Sequence, residues 1–256
     1  MDNKTASKMA RRYNNYTGTL NSNYIHLRNP WVVAWWSAAF PGFGHIKMGI
    51  YVKGFIFMFW EIVINVYSRI NEAMVYSFNG HFDMAKEVLN TRMLLLYIAI
   101  YIITIWDSYR QSIDLNKHYL LAEFENAPIV PFNMSGYALN YLDRRNPLFA
   151  LIISMLFPGL GHLYLHRIPT GLLLLTWTIV IIYMSNFLEG LQYTLMGSFT
   201  EAVAILDPQW ALFLPSIYCF ATYEAYVICV EYNKLFTKEQ RQFLQKNYQP
   251  SNYRLL

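Results

Sequence analysis

The chain has 256 residues, of which 55% are hydrophobic and only 14% are charged. A typical soluble domain is about 25% charged, and a compact soluble fold of this length would leave much apolar side chain in contact with water. The composition therefore excludes an ordinary soluble domain and favours an integral membrane protein. The formal net charge of +4 is modest, and the basic residues lie outside the apolar runs, so no nucleic-acid partner is predicted.

The chain opens with a polar and basic segment over residues 1–27. This segment contains no apolar core of the kind found in a cleavable signal peptide. We therefore predict a cytoplasmic tail here, and we expect the internal apolar segments to drive insertion into the membrane.

Residues 28–117 align without a gap on residues 145–234 when the chain is shifted by 117 positions. Of these 90 aligned positions, 27 are identical, and they include Gly, Pro, His and Asn-Lys matches as well as apolar ones. Shared apolar composition alone would produce scattered Leu and Ile matches, so the pattern predicts an internal duplication. The predicted organisation is a basic cytoplasmic tail (1–27), membrane repeat 1 (28–117), a linker (118–144), membrane repeat 2 (145–234) and a basic amphipathic cytoplasmic tail (235–256).

Each repeat contains three apolar runs. The first run, 31–40 or 148–157, has only ten residues, whereas about 20 apolar residues are needed to cross a bilayer. The second run begins near Gly54 in repeat 1 and near Gly171 in repeat 2, and we predict that the second and third runs span the membrane. The predicted fold class is an all-α polytopic membrane protein, in which each of two tandem repeats has a short re-entrant or half-span helix plus two transmembrane helices.

The placement of the basic residues favours one of two topologies. If the first run of each repeat does not cross, both tails and the linker share one face, which then holds 17 of the 20 Lys and Arg residues. Because basic residues accumulate on the cytoplasmic side, we predict a multi-pass protein of the plasma (cell) membrane with both termini in the cytoplasm. The alternative is six spans in two inverted halves.

The sequence FPGFGH at residues 40–45 returns as FPGLGH at residues 157–162. Proline has no N–H and glycine accepts positive φ, so this string suits the end of a short helix and a reversal of the chain, with each histidine donating to a freed backbone carbonyl. The alternative is an anion-binding nest for a lipid phosphate, built from glycine N–H groups and histidine. The candidate residues for either role are Pro41, Gly42, Gly44, His45, Pro158, Gly159, Gly161 and His162, together with Arg28 and Arg145 just before the first run of each repeat.

Five acidic residues lie in or next to the apolar runs: Glu61, Asp107, Asp114, Glu224 and Glu231. Ionisable residues inside membrane spans are rare and often functional, so a proton or cation path is one interpretation. Asp107 and Asp114 recur as Glu224 and Glu231, seven residues apart and so on similar helix faces. The other interpretation is local ion pairing, because a basic residue follows three positions after Asp107, Asp114 and Glu231. Glu61 has threonine as its counterpart, which argues against a symmetric path.

Each repeat has, in order, a short apolar run, a G-x-G-H sequence, a glycine that opens the next helix, and an aromatic residue shortly before an acid near the end of the last helix. This order resembles the two-transmembrane-helix (TM-two) domain family. The matching residues are Gly42-Phe43-Gly44-His45 with Gly49, Gly54 and Ile105-Trp106-Asp107, and Gly159-Leu160-Gly161-His162-Leu163-Tyr164 with Gly171 and Thr222-Tyr223-Glu224. The chain departs from the family pattern at Lys47, which replaces an aromatic residue, and at His166, which replaces a glycine. The resemblance implies a small multi-pass module, often attached to other membrane machinery, with no common enzymatic reaction.

The function predicted from these features is that of a non-enzymatic multi-pass accessory or scaffold subunit of a membrane complex, for example one in envelope biogenesis. The alternatives are a small transporter or channel that uses the intramembrane acids and, less favoured, a lipid-phosphate-handling enzyme. The sequence contains no HExxH and no GxSxG string, so we predict no catalytic residue, no metal and no cofactor. The expected partners are membrane lipids and either another membrane protein or a second copy of this chain.

Overall fold

A computed structural model describes residues 11–248, which form a mostly helical protein. The helices of the first half are α1 (Pro30–Ala39), α2 (Phe43–Lys47), α3 (Tyr51–Ser68), α4 (Ile70–Phe78), α5 (Phe82–Val88) and α6 (Thr91–Phe124). Those of the second half are α7 (Pro147–Leu156), α8 (Leu160–Tyr164), α9 (Ile168–Met184), α10 (Phe187–Leu195), α11 (Phe199–Ile205), α12 (Pro208–Ala211) and α13 (Phe213–Tyr248). Residues 1–10 and 249–256, which belong to the two predicted tails, lie outside the described residues.

The two helical series follow the same order along the chain. Each helix from α1 to α6 begins 117 residues before its counterpart in the series from α7 to α12: α1 begins at 30 and α7 at 147, and α6 begins at 91 and α12 at 208. A difference lies at Leu212, where a break separates α12 from α13, whereas α6 is continuous.

Both series begin with the sequence Arg-Asn-Pro, and helix capping explains the asparagine and the proline. The Oδ1 atom of Asn29 accepts from the N–H of Trp31 at 3.0 Å, and that of Asn146 accepts from the N–H of Leu148 at 2.9 Å. The proline that follows occupies the first helical position, where an N–H is not needed. The same local device therefore starts α1 and α7.

Within residues 11–248, five short strands accompany the helices, and the protein remains mostly helical, in agreement with the predicted all-α class. They are β1 (Asn15–Thr17), β2 (Ser22–Tyr24), β3 (Ile129–Val130), β4 (Phe132–Met134) and β5 (Leu139–Tyr141). β1 pairs antiparallel with β2 and parallel with β3, and β4 pairs antiparallel with β5. Each strand has only two or three residues, too few to show the alternating pattern from which a strand is predicted. Through β1 and β3, the N-terminal segment and the predicted linker are hydrogen-bonded to each other.

Among the described residues, 11–248, two helical segments are long and apolar enough to cross a membrane: α6 and the stretch Pro208–Tyr248, which joins α12 and α13. The helices α9 and α10 form a third if they are counted together as one broken span, since they are bent by 64° at their junction. The remaining predicted span, α3, carries Lys53 and Glu61 within its 18 residues. Length and composition therefore support two or three of the four predicted spans, and the fourth stays a prediction.

The core is made of large apolar side chains from both halves. Phe43 of α2 stacks on Phe220 of α13 with the ring centroids 4.0 Å apart. Around this pair, Phe40 and Met58 from the first half are buried in one cluster with Leu174 from the second. The two halves are thus packed against each other through a continuous apolar interface.

Candidate functional site

Both FPGxGH strings form the same sharp break after a short helix. The prolines of the strings, both buried, are Pro41 and Pro158. The next residue, Gly42 or Gly159, has left-handed backbone with a φ of 101° or 102°. A side chain at Gly42 would place its Cβ 2.4 Å from the carbonyl oxygen of Gly54, and one at Gly159 would lie 2.5 Å from that of Gly171. Glycine is therefore required at both positions, because the backbone is left-handed and two backbones meet there.

The second glycine of each string makes a further close contact. A Cβ at Gly44 would lie 2.3 Å from the Oγ of Ser37, and one at Gly161 would lie 2.0 Å from the Oγ of Ser154. Both serines are fully buried, and they occupy equivalent positions in α1 and α7. Each string thus packs back against the short helix that precedes it, and this packing accounts for the repeated glycines without a ligand.

His45 lies in a buried polar cluster of the first half. Its Nε2 is 2.8 Å from Oδ2 of Asp107, and its side chain is fully buried. Asp107 also accepts from the Nζ of Lys53 at 2.5 Å and from the Nε2 of Gln111 at 2.7 Å, and Arg110 lies 3.6 Å from its other oxygen. The partner of this histidine is therefore a carboxylate and not the predicted backbone carbonyl, because α2 packs directly against α6.

His162, the counterpart of His45, has a different environment. It is fully buried, and neither of its ring nitrogens has a hydrogen-bond partner within residues 11–248. Glu224, which occupies the position equivalent to Asp107, contacts the Nζ of Lys47 at 2.6 Å. His45 and Asp107 therefore contact each other, whereas the equivalent residues His162 and Glu224 do not form such a pair.

Glu224 forms a buried ion pair that connects the two halves of the protein. Lys47 lies 177 residues away in the sequence, and the Lys47 and Glu224 side chains are only 5% and 2% exposed. Nη1 of Arg167 is 3.7 Å from Oε1 of the same carboxylate, and Nζ of Lys47 lies 4.6 Å from the ring centre of Tyr223. The buried carboxylate is thus neutralised by cations of the protein itself, as a buried charge requires.

Asp114 and Glu231 lie further along α6 and α13 and form local ion pairs. Nζ of Lys117 is 3.1 Å from Asp114, and Nζ of Lys234 is 2.7 Å from Glu231. Both are the i, i+3 contacts of the ion-pairing interpretation, and both lysines are largely exposed. Exposed pairs of this kind contribute only about 0–1 kcal/mol, so they add little to the stability of the fold.

Glu61 belongs to a second buried polar network. It accepts from the Nδ2 of Asn65 at 3.1 Å and from the hydroxyl of Tyr97 at 3.3 Å. Gln209 of the second half donates to Oδ1 of Asn65 at 2.7 Å, and Asn71 donates to the backbone oxygen of Gln209 at 2.9 Å. Sequence reasoning did not predict this network, because the counterparts of its three amide residues in the other repeat are not amides.

Arg28 and Arg145 are held by the same backbone contacts. Asn116 accepts from the N–H of Arg28 at 2.9 Å and donates to its carbonyl at 2.7 Å. Asn233 makes the same two contacts with Arg145, at 2.9 and 2.8 Å. The two side chains then differ: the guanidinium of Arg145 donates to the backbone oxygen of Tyr164, while Arg28 is one of the residues that line a cavity.

This cavity has a volume of about 320 Å³ and lies between the N-terminal strands and the loop from α2 to α3. Three buried basic side chains line it: Arg28, Lys47 and Arg167. Sequence reasoning named only Arg28 as a site residue. A signal for Lys47 existed, because it departs from the TM-two pattern, and Arg167 stands where the first repeat has isoleucine.

His26 lies close to this group of positive charges. Its Nδ1 is 3.7 Å from Oε2 of Glu231. The pKa of His26 is nevertheless lowered to about 2. The main cause is burial of the imidazole, and the positive charges of Arg28 and Lys47 add to it. The imidazole is therefore neutral near neutral pH, and its contact with Glu231 is not an ion pair.

We expect the stability of the protein to fall as the pH drops below the ordinary histidine pKa of about 6.5. In this range the unfolded chain takes up a proton at His26, whereas the folded protein does so only near its lowered pKa of about 2, so acid favours unfolding. Thermal denaturation in a neutral detergent at a series of pH values between neutral and mildly acidic measures the loss. The His26→Gln variant should depend on pH less steeply, and an unchanged slope would mean that another group is responsible.

The described part of the chain, residues 11–248, contains no group of three or more His, Cys, Asp or Glu side chains placed to hold a metal ion. His162 and His166 have an i, i+4 spacing that would suit a metal on a helix. The helix α8 ends at Tyr164, however, and Nε2 of His166 is 3.0 Å from the backbone oxygen of Thr19. The spacing therefore does not bring the two imidazoles to a shared ligand position.

No protein-family model matches the chain, and no match to a curated protein or to a solved structure was found. The resemblance to the TM-two domain family therefore stays a prediction that rests on the motif residues.

Proposed function

We propose that the protein is a non-enzymatic, multi-pass accessory or scaffold subunit of a complex in the cell membrane. The observation that carries the proposal is the environment of the intramembrane acids. Asp107 is held by His45 and Lys53, and Glu224 by Lys47, in contacts of 2.8 Å or less. Acids that serve as relays in pumps face a water-filled cavity or a chain of exchangeable partners, whereas these acids join helices to one another.

The interface between the halves supports the same proposal. The buried rings of Phe43 and Phe220 stack at 4.0 Å, and Phe40 stacks on Phe43 at 4.7 Å. Packing of this density leaves no room for water where the rings meet. It favours a scaffold over the small transporter or channel that the acids alone suggest.

The surface of α6 is suited to lipid or to an apolar partner. Only 17% of its apolar window is buried inside the protein, compared with 50% for the segment Pro208–Tyr248. Large side chains such as Ile98, Ile102 and Trp106 are exposed along it. A surface of this kind is stable only when membrane lipid, another membrane protein or a second copy of the chain covers it.

The proposed architecture is two tandem repeats, each with a re-entrant or half-span helix and two spans, and with both termini in the cytoplasm. The equal 117-residue offsets of the helix starts support the duplication. β1 pairs with β3, and Nδ2 of Asn140 donates to the carbonyl of Gly18 at 2.8 Å. Segments joined by hydrogen bonds between strands cannot lie on opposite sides of a bilayer. This pairing favours an even number of crossings in the first repeat, and so favours four spans over six.

A reporter enzyme inserted after Pro131 tests this topology. We expect cytoplasmic activity there, because β3 and β4 on either side of Pro131 belong to the segment that packs with the N-terminal strands. An insertion after Gly197, in the turn between α10 and α11, is the matched control for the opposite face and should give an external signal. External activity at Pro131 would contradict the four-span topology.

Crosslinking in native membranes tests the accessory role. The full chain, tagged and produced at its native level, is crosslinked, extracted in mild detergent and separated by size. We expect a complex larger than the 30.1 kDa chain, with one membrane protein, or a second copy of this chain, recovered in a fixed ratio. An unrelated multi-pass protein with the same tag is the control. Recovery of the monomer without a reproducible partner would sink the proposal.

A further inference from the structure

The cavity beside Arg28 is built like an anion-binding site. Its three basic side chains are each more than nine-tenths buried, with exposures of 8% for Arg28, 6% for Lys47 and 3% for Arg167. Buried charges are stable when they are paired, and costly when they are not. Within residues 11–248, the carboxylate that contacts these cations is Glu224, so three positive charges face one negative charge and the group keeps a net charge of +2.

The guanidinium of Arg28 carries donors that no group within residues 11–248 satisfies. Its Nε and Nη1 are buried, and neither has a hydrogen-bond partner in the part of the chain that the structure describes. The ring of Tyr24 lies 5.8 Å from its Cζ, and the Nε of Arg167 is also without a partner among the described residues. A guanidinium remains charged and offers five donors in a planar fork that matches a phosphate. An anion in the cavity would satisfy donors that are otherwise buried at a cost to stability.

The backbone of Arg28 and the guanidinium of Arg167 are held in place before any ligand binds. Asn116 holds both the N–H and the carbonyl of Arg28, at 2.9 and 2.7 Å. The guanidinium of Arg167 is held by the hydroxyl of Tyr51 and by Glu224. Groups that are already ordered lose less conformational entropy on binding. The volume of about 320 Å³ is at the small end of ligand pockets, and it accommodates a phosphate together with part of the molecule that carries it.

The positions equivalent to these cations in the other repeat do not form a second arrangement of this kind. The counterpart of Lys47 is Tyr164, whose backbone oxygen takes up the guanidinium of Arg145. The counterpart of Arg167 is Ile50. Lys47 and Arg167 are therefore basic in one repeat only, and the equivalent residue in the other repeat is uncharged. The positive charge of this cavity does not follow from the duplication.

We propose that this cavity binds the phosphate group of an anionic ligand, with Arg28 as the bidentate donor and Lys47 and Arg167 as supporting charges. Two sources can supply such a group at the proposed cytoplasmic face: the headgroup of an anionic phospholipid and a soluble phosphate compound. The site differs from the glycine-histidine nest expected from the sequence, whose histidines are fully buried. Phosphate binding at this site does not depend on the proposed accessory role. The first is tested by ligand binding and the second by recovery of a partner, so either can fail without the other.

Binding to the full-length protein in a neutral detergent tests the proposal in two arms. In the first, phosphatidylglycerol is added to the micelles, with diacylglycerol, which has no phosphate, as the control, and bound lipid is counted by native mass spectrometry. In the second, sodium phosphate and glycerol phosphate are titrated calorimetrically against sodium chloride at equal ionic strength. Saturable binding of one molecule per chain in either arm supports the site and identifies its source.

Three variants separate the site from general electrostatics. Arg28→Gln should weaken binding about tenfold or more, because it removes a charge-assisted bidentate contact. Asn23→Asp is nearly isosteric and places a carboxylate on an exposed residue that lines the cavity, so it should weaken binding severalfold without disturbing the core. Arg144→Gln removes an exposed positive charge elsewhere and should bind like the wild type. The proposal is wrong if neither arm shows saturable binding. It is also wrong if Arg28→Gln binds as tightly as the wild type. Where Arg28→Gln does not fold, Asn23→Asp takes its place in this comparison.

Discussion

Replacing Gly42 with alanine should lower the free energy of unfolding by about 3 kcal/mol or more, because strained backbone and a steric overlap act together. The φ of 101° at Gly42 lies where L side chains are rarely found. The added Cβ would also lie 2.4 Å from the carbonyl oxygen of Gly54. That atom belongs to the backbone of α3 and cannot move aside by changing a rotamer, so α2 and α3 would have to separate.

Gly80→Ala is the matched control for this substitution. Gly80 also has positive φ, at 79°, but a Cβ added there meets nothing within 4 Å, so the variant should lose only about 1 kcal/mol. Gly159→Ala should behave like Gly42→Ala, since its Cβ would lie 2.5 Å from a carbonyl oxygen. Unfolding in mixed micelles with increasing denaturing detergent measures all three. Equal losses for the Gly42 and Gly80 variants would show that backbone conformation alone is responsible and that the close helix contact is not.

Lys47→Met should lower the free energy of unfolding by about 3–5 kcal/mol, since it leaves a buried carboxylate without its main partner. Glu224 is only 2% exposed, and Arg167 at 3.7 Å is the cation that remains beside it. Lys117→Met is the control, because Lys117 forms an exposed pair with Asp114 and should change stability by no more than about 1 kcal/mol. The same unfolding assay compares the two variants.

A double-mutant cycle isolates the contribution of this ion pair. Adding Glu224→Gln to Lys47→Met should recover part of the loss, because the uncompensated charge is removed. Recovery should be incomplete, since Arg167 then loses its neighbouring carboxylate. We expect a coupling energy of about 1–3 kcal/mol. Coupling near zero would mean that Lys47 and Glu224 do not hold the two halves together.

The features that were predicted well from the sequence are local ones, such as the backbone conformation of a glycine or a contact within one helix turn. Gly42 and Gly159 were expected to allow a break after a short helix, and the structure places both in left-handed backbone. Local ion pairing at an i, i+3 spacing was one of the two interpretations of Asp114 and Glu231, and the structure contains both pairs. Such predictions succeed because each depends on a few neighbouring residues and not on how distant segments pack.

The features that were missed depend on contacts between distant segments. Lys47 reaches Glu224 across 177 positions, and comparison of the repeats obscured this pair because the two positions are not equivalent. His45 was expected to bond a carbonyl, but the packing of α2 on α6 brings it to Asp107 instead. The β1–β3 pairing was also missed, since strands of two or three residues show no periodic pattern.

Ion flux through proteoliposomes of the full chain tests most directly the central claim that Asp107 and Glu224 hold helices together and do not carry protons or ions. A pH-sensitive dye and a cation-sensitive dye are trapped inside, and a gradient is imposed across the membrane. We predict that flux equals that of protein-free liposomes, both for the wild type and for the variant carrying Asp107→Asn and Glu224→Gln. Flux above this background in the wild type that disappears in the double variant would contradict the structural role assigned to these acids.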